Sequence, residues 1–390
     1  MKLAISFTNF GPYHLARLRA LAVGLSRRGD RLLAIETAGA ERLYPWRTDR
    51  RPEPFHWVTL FPGRELEDIA QADCSVAIEE VLEQHRPDAL ALSGYVRPEC
   101  LAALQWSRRQ GCPSILMSES QAIDRPRTWW REAIKRRRVR RFSAALVGGP
   151  SHRDYLIGLG MPADRIALGY NAVDNTVYAA RAQAARRASE GRRGLPTGPY
   201  FLSVSRFASE KNLPGLVRAF STYRQGAAAG RAWDLVLIGD GPSAAEVHEA
   251  VRKSGHAQAI HRPGFLQADE IARWYSFASA FVLASTSEPW GLVVNEAAAC
   301  GLPLLVSERA GASLTLVPDP PGTTGRRFDP LNPSDLAGAL GWMAGLPESD
   351  RQVLGRRAAE IVADWGPERF CNGTLEALEL ASRSRPRAVA

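Results

Sequence analysis

Cysteine is scarce: five residues in a chain of 390, at positions 74, 100, 112, 300 and 371, with no Cys-x-x-Cys pair. An odd, scattered set excludes a disulfide framework and a thiolate zinc site, and reads as reduced packing residues of a cytoplasmic protein. No Asp-x-Asp occurs anywhere, so the most compact carboxylate pair for a divalent cation is missing. No Gly-x-Gly-x-x-Gly occurs either, which removes the dinucleotide fingerprint. No apolar run approaches the ~20 residues of a membrane span. The opening stretch, Met1–His14, turns polar too soon for a signal peptide, so a cytoplasmic chain, soluble or peripheral on the inner face of a membrane, is expected. Acids are outnumbered, 41 against 50 Lys and Arg, for a net charge of +9. That balance favours acidic partners such as phosphorylated small molecules, anionic lipid or nucleic acid.

What is present is alternation. Short apolar runs at 3–7, 31–36, 88–93, 114–117 and 144–147 alternate with helical patterns at 15–28, 68–85 and 101–110, as in parallel α/β architecture. Residues 181–194 are polar, basic and interrupted by glycine, and read as a linker. A second series follows, with strands expected at 200–204, 233–238, 261–265, 280–283 and 302–306. Helices are expected between them. At 390 residues two domains are the default. The expectation is therefore two Rossmann-like α/β domains facing a cleft, residues 1–190 and 191–366, with a C-terminal helix from 367 packing back on the first. In such sheets ligands bind at the carboxyl ends of strands.

One such end carries two carboxylates. Glu288-Pro-Trp-Gly-Leu-Val-Val-Asn-Glu296 begins as a loop, marked by Pro289 and Gly291, and continues as an apolar helix. Between Glu288 and Glu296 lie the amides of a helix N-terminus, which favour an anion. Arg206 and Lys211 follow another strand end, where a fork-shaped and a point-like cation would both suit phosphate oxygens.

Several segments, taken in order, resemble one family. They are Ser203-Val-Ser-Arg-Phe207, Glu210-Lys211-Asn212, Gly239-Asp-Gly-Pro242, Pro263-Gly-Phe-Leu266, Tyr275 with Ala278, Ser287 through Gly291 with Glu296-Ala297, Cys300-Gly-Leu-Pro303, and Gly322, Gly325 and Phe328. The train is similar to retaining glycosyltransferases of the GT-B fold, glycosyltransferase family 4 (group 1), and covers about 200–330 densely. The N-terminal half matches mainly in architecture.

The resemblance implies a nucleotide-diphosphate sugar as donor and a glycan, glycolipid or small molecule as acceptor, with no metal and no cofactor. It assigns Arg206 and Lys211 to the diphosphate, Glu288 to the donor sugar hydroxyls and Glu296 to the ribose. Gly291, Leu292 and Val293 would offer backbone to the diphosphate, and Gly264, Phe265 and Leu266 would lie by the base. In the first half, Gly11 would approach the phosphates, although Pro12 removes one N–H donor. Tyr13 and His14 are candidate acceptor-binding residues; a histidine satisfied by backbone at a helix start is the plainer alternative. Glu119, in Ser118-Glu-Ser-Gln121, stands where many family members carry a histidine. It is a candidate for taking the acceptor proton, for binding the sugar, or for capping a turn, and Asp124 is a weaker candidate. Asn171-Ala-Val-Asp174 is expected to be structural. A peripheral membrane-binding protein with a degenerate transferase fold, and a sugar-nucleotide epimerase of the same fold, are the alternative readings.

Residues 128–142 are basic and aromatic. At helical spacing Trp130, Ala133 and Ile134 share a face and cations fill most of the rest. Three readings stay open. The segment contacts an anionic membrane surface through Trp129, Trp130 and Lys135 to Arg141, its tryptophans pack on the domain, or it meets nucleic acid, for which no recognition motif is present.

Overall fold

The computed structural model describes residues 1–42, 46, 51–124, 127–188, 190–228 and 230–383. The chain forms two compact units, Met1–Val173 together with the chain from Pro367, and Asp174–Gly366.

The first unit is built on seven parallel strands: β1 (Lys2–Phe7), β2 (Arg31–Ala40), β3 (His56–Glu65), β4 (Ala89–Ser93), β5 (Ser114–Ser118), β6 (Ala144–Val147) and β7 (Ile166–Leu168). Their order is β3-β2-β1-β4-β5-β6-β7. The inner strands are continuous buried apolar runs, as a sheet covered on both faces requires. β3, at the edge, is half-exposed and holds Pro62, which an edge tolerates because its missing N–H is not needed by the ladder. That proline and the weak burial explain why β3 has no clear signature in the sequence.

Helices α1 (Pro12–Ser26), α2 (Gln71–His85), α3 (Pro98–Arg109), α4 (Trp129–Val139) and α5 (Pro150–Gly158) belong to this unit. Pro12, Pro98 and Pro150 open their helices at a position where no N–H bond is lost. The last helix, Pro367–Arg383, labelled α14 below, also returns to it. α14 lies along α1: Phe370, Ala377, Leu378 and Ala381 share one core with Leu18, Leu21 and Leu25. A Cβ on Gly24 would collide with Cys371, so the two helices meet at a point that only glycine permits. Each fully buried leucine there contributes about 1.5–3 kcal/mol.

The second unit holds α6 (Asn175–Arg187), β8 (Tyr200–Val204), α7 (Leu213–Gly226), β9 (Asp234–Ile238), α8 (Ala244–Lys253), β10 (Ile260–Gly264), α9 (Ala272–Phe277), β11 (Ala280–Leu283), α10 (Leu292–Ala299), β12 (Leu304–Ser307), α11 (Ser313–Leu316), β13 (Gly325–Phe328), α12 (Pro333–Gly345) and α13 (Glu348–Ala363). Its six strands are parallel in the order β10-β9-β8-β11-β12-β13. The unit therefore starts at Asp174, not at 191. Residues 181–187, expected in a linker, are instead the last two turns of α6. Alanine and arginine are good helix formers, and Arg186 anchors the helix by donating to the carbonyls of Ser276 (3.0 Å) and Cys300 (2.7 Å). All five cysteines are buried thiols.

Candidate active site

In the second sheet the strand order reverses between β8 and β11, so the loops leaving these strands lie side by side at a topological switch point. The β8 loop carries Ser205, Arg206 and a short turn over Ser209–Lys211. Asn212, in the left-handed region at φ 52°, ends that turn and donates to the Pro330 carbonyl at 3.1 Å. The β11 loop carries Ser285, Thr286, Glu288 and Gly291. Backbone joins the two loops, since the Thr286 N–H donates to the Glu210 carbonyl at 2.8 Å.

Lys211 Nζ donates to Glu288 Oε2, and Ser285 Oγ donates to the same oxygen at 3.2 Å. The pair is nearly dry: the lysine side chain is 13% exposed and the glutamate 10%. Arg206 reaches Glu210 at 2.7 Å with one terminal nitrogen. Its Nε, with Ser203 Oγ and Ser205 Oγ, is buried and without a partner among the described residues. Three unsatisfied polar atoms beside one strand end are costly unless something else satisfies them. The Gly239-Asp-Gly-Pro242 turn supports this loop. Phe207 N–H donates to the Asp240 carbonyl at 2.8 Å, and a side chain on Gly239 would strike the Ser205 carbonyl.

Glu288 is also fixed through its backbone, because its carbonyl accepts from Gly311 N–H at 3.0 Å. Trp290 is fully buried, donates to Asn295 Oδ1 at 2.9 Å and stacks on Trp365 at 4.8 Å. Gly291 sits at φ 97°, ψ 64° and caps α10, so the first-turn amides of Leu292 and Val293 start beside Glu288. Glu296, one turn on, is no surface acid: it is 2% exposed. Its two oxygens accept hydroxyls from Tyr178 (3.0 Å) and Tyr275 (2.7 Å). Cys300 lies close enough that burial and this carboxylate push its thiol up to about 12. Gly264, at φ 86°, ends β10 and accepts from Gly239 N–H at 2.9 Å; Gly264, Phe265 and Leu266 remain partly open to solvent.

The switch point of the first sheet lies between β1 and β4. Gly11 caps α1 in an extended conformation, and its N–H donates to His14 Nδ1 at 3.3 Å. The half-buried His14 ring lies 4.5 Å from Phe7, and burial with the nearby Arg17 lowers its pKa to about 3. At neutral pH His14 is therefore uncharged. Tyr13, beside it, is half-buried. Arg17 has no signal in the sequence. It is buried within α1, donates to the Ala172 carbonyl at 3.0 Å and lies over Tyr170 at 5.4 Å. Burial pulls its pKa down, against the stabilising influence of Tyr170, Glu119 and Tyr13. Glu119 follows β5 and accepts from Asn171 Nδ2, so Asn171 orients this carboxylate. It is Asp124 that caps the turn here, accepting from Gln121 N–H at 2.8 Å, and burial raises its pKa. Asp174 caps α6 through Val177 N–H at 3.2 Å.

Residues 186–360 match the family model of glycosyl transferases group 1, a span that contains Arg206, Lys211, Glu288 and Glu296. The D-inositol 3-phosphate glycosyltransferase of Paenarthrobacter aurescens (strain TC1) is 29% identical over 290 residues, 71% of this chain and 69% of that protein. The sulfoquinovosyl transferase of Arabidopsis thaliana is 29% identical over 55% of this chain and 40% of its own length. The alpha-D-kanosaminyltransferase of Streptomyces kanamyceticus is 28% identical over 62% and 61%. The matches thus span between two fifths and just over two thirds of these relatives. Among solved structures, sucrose-phosphate synthase from Thermosynechococcus elongatus superposes with a TM-score of 0.75 at 18% identity, covering 98% of this chain and 99% of the other. Anabaena HepE, solved with UDP and glucose, superposes with a TM-score of 0.73 at 17% identity over 97% and 99%. At such identities the likeness shows the fold, that of the GT-B glycosyltransferases. Fold, matched segment and relatives together identify a glycosyltransferase, and residues 186–360 are similar to the group 1 family.

Proposed function

We propose that the chain is a retaining, metal-independent transferase that moves a sugar from a nucleotide-diphosphate donor to a hydroxyl of a glycan, glycolipid or small molecule. The observation that carries this reading is the Lys211–Glu288 pair beside Arg206 and three unsatisfied polar atoms at the switch point of the second sheet.

As the bond between the anomeric carbon and the phosphate oxygen breaks, the electron pair leaves with the diphosphate. The new charge needs donors that are already in place. Arg206 supplies two parallel N–H groups, Lys211 a point charge, and the α10 amides at Leu292 and Val293 a dipole. Two fixed cations take the part that a metal plays elsewhere. Glu288, held by Lys211 and Ser285, faces the donor sugar's hydroxyls as an acceptor. Glu296, braced by two tyrosines, takes the ribose. Attack of the acceptor hydroxyl from the face the diphosphate leaves gives retention, and the departing diphosphate oxygen takes the acceptor proton. Glu119, oriented by Asn171, and Tyr13 belong to the acceptor side. The neutral His14 binds there by hydrogen bonding. Gly264, Phe265 and Leu266 receive the base. The relative solved with UDP and glucose makes a UDP-sugar the first donor to try.

The test is proton NMR of the product formed from an α-linked donor, with and without EDTA, by the native chain and by Glu288→Gln. An α-linked product that forms equally well in EDTA, with the variant slower by about 100-fold, is the expected result. A β-linked product, or loss of activity in EDTA, would refute the mechanism.

A further inference from the structure

We infer that α4 is a docking surface for an anionic lipid bilayer. Its inward face is short and already satisfied. Val139 is buried, and Glu132 and Lys135 turn toward Tyr155 on α5. Lys135 donates to Glu132 at 2.8 Å and to the Tyr155 hydroxyl at 2.9 Å. Arg127 donates to Glu132 at 2.7 Å and lies 4.0 Å over the Tyr155 ring. The helix's single acid is thereby neutralised on the protein side. Lys135, expected among the outward cations, belongs to this inner cluster.

The opposite face is the reverse of a solvated helix. Trp130, Ala133, Ile134 and Arg137 recur at helical spacing and share one side. Trp130 is 47% exposed, Ile134 45%, and Trp129 at the helix start 84%. The apolar stripe therefore points away from the unit and does not pack on it. Arg131, Arg136, Arg137 and Arg140 are exposed around it, with Arg131 5.0 Å over the Trp130 ring. Two tryptophans and an isoleucine in water, ringed by arginines with no acid facing out, match the charge and the layering of an anionic membrane surface. The indoles and Ile134 would enter the headgroup boundary while the guanidiniums meet phosphate. Nucleic acid fits less well, because Ala133 and Ile134 in the middle of the stripe offer a base nothing to stack on.

The test is co-sedimentation of the full chain with vesicles of phosphatidylcholine alone or mixed with phosphatidylglycerol. Two double variants at exposed positions are compared, Trp130→Ser with Ile134→Ser, and Arg131→Gln with Arg137→Gln. The native chain should sediment with the mixed vesicles and not with the neutral ones. Each double variant should weaken binding by at least about tenfold while nucleotide binding stays unchanged. Absence of binding to mixed vesicles would overturn the inference, as would native partitioning by either variant, or a preference for duplex RNA over the vesicles. None of these outcomes touches the donor site, which lies in the other unit.

Discussion

At the scale of single residues, the site divides into what local sequence encodes and what only the fold assembles. Arg206, Lys211 and Glu288 are legible because strand ends, Pro289 and Gly291 mark them within a few positions. The tyrosines on Glu296 are not, since Tyr178 lies 118 residues before it. The same holds for Asn171 on Glu119, and for Arg17, a buried cation in a helix that composition would turn outward. His14 yields a pH prediction. Its folded pKa of about 3 lies below the unfolded value near 6.5. Between those values the unfolded chain binds the extra proton, so stability rises with pH through this window and is lost as pH falls. The contribution is at most about 1.4 kcal/mol per pH unit. In denaturant unfolding between pH 4 and pH 6, on the order of this window, His14→Gln should flatten the dependence on pH. Slopes identical to the native chain would show that the ring is not held neutral.

At the scale of elements, the buried inner strands of both sheets and helices α1, α2, α3, α7, α8 and α9 are legible from apolar runs and periodicity, whereas β7, β13, α5, α12 and α13 carry no expectation in the sequence. The reading failed where those signals thin out. β3 is a half-exposed edge strand with a proline, and α6 looks like a linker because its outward face is basic. Hydrogen bonds from Arg186 to two distant carbonyls, which no local pattern announces, bind α6 to α9 and α10. The start of α10 is the element on which the donor reading most depends. Gly291 combines φ 97° with a site where a Cβ would stand 2.9 Å from Leu283 Cδ2 and 3.3 Å from Glu288 Cγ. Gly291→Ala should cost roughly 1–3 kcal/mol, lower the melting temperature by several degrees and displace Glu288. Thermal unfolding with and without nucleotide measures both effects. Unchanged stability and unchanged nucleotide affinity would remove the argument that this backbone conformation builds the site.

At the scale of the whole molecule, the chain is a glycosyltransferase made of two parallel sheets, and its C-terminal helix completes the first unit. Phe370, Leu378 and Ala381 fill a core that begins with α1. Ending the chain at Gly366 should therefore strip the first unit of part of its core and shift its unfolding to lower denaturant. The second unit, whose core draws on no residue of α14, should keep its own transition. A single unchanged transition would contradict this. The central claim, a metal-independent site for a nucleoside diphosphate in the second unit, is tested most directly by thermal shift with UDP, GDP, ADP and dTDP. The native chain and Arg206→Ala are compared, each with and without EDTA. The account predicts that one diphosphate stabilises the native chain, by about 2.7 kcal/mol at a hundredfold excess over its Kd. The shift should survive EDTA and collapse in Arg206→Ala, while the corresponding nucleoside shifts both proteins equally. A folded native chain that responds to none of the four, or only when a divalent metal is present, would contradict it.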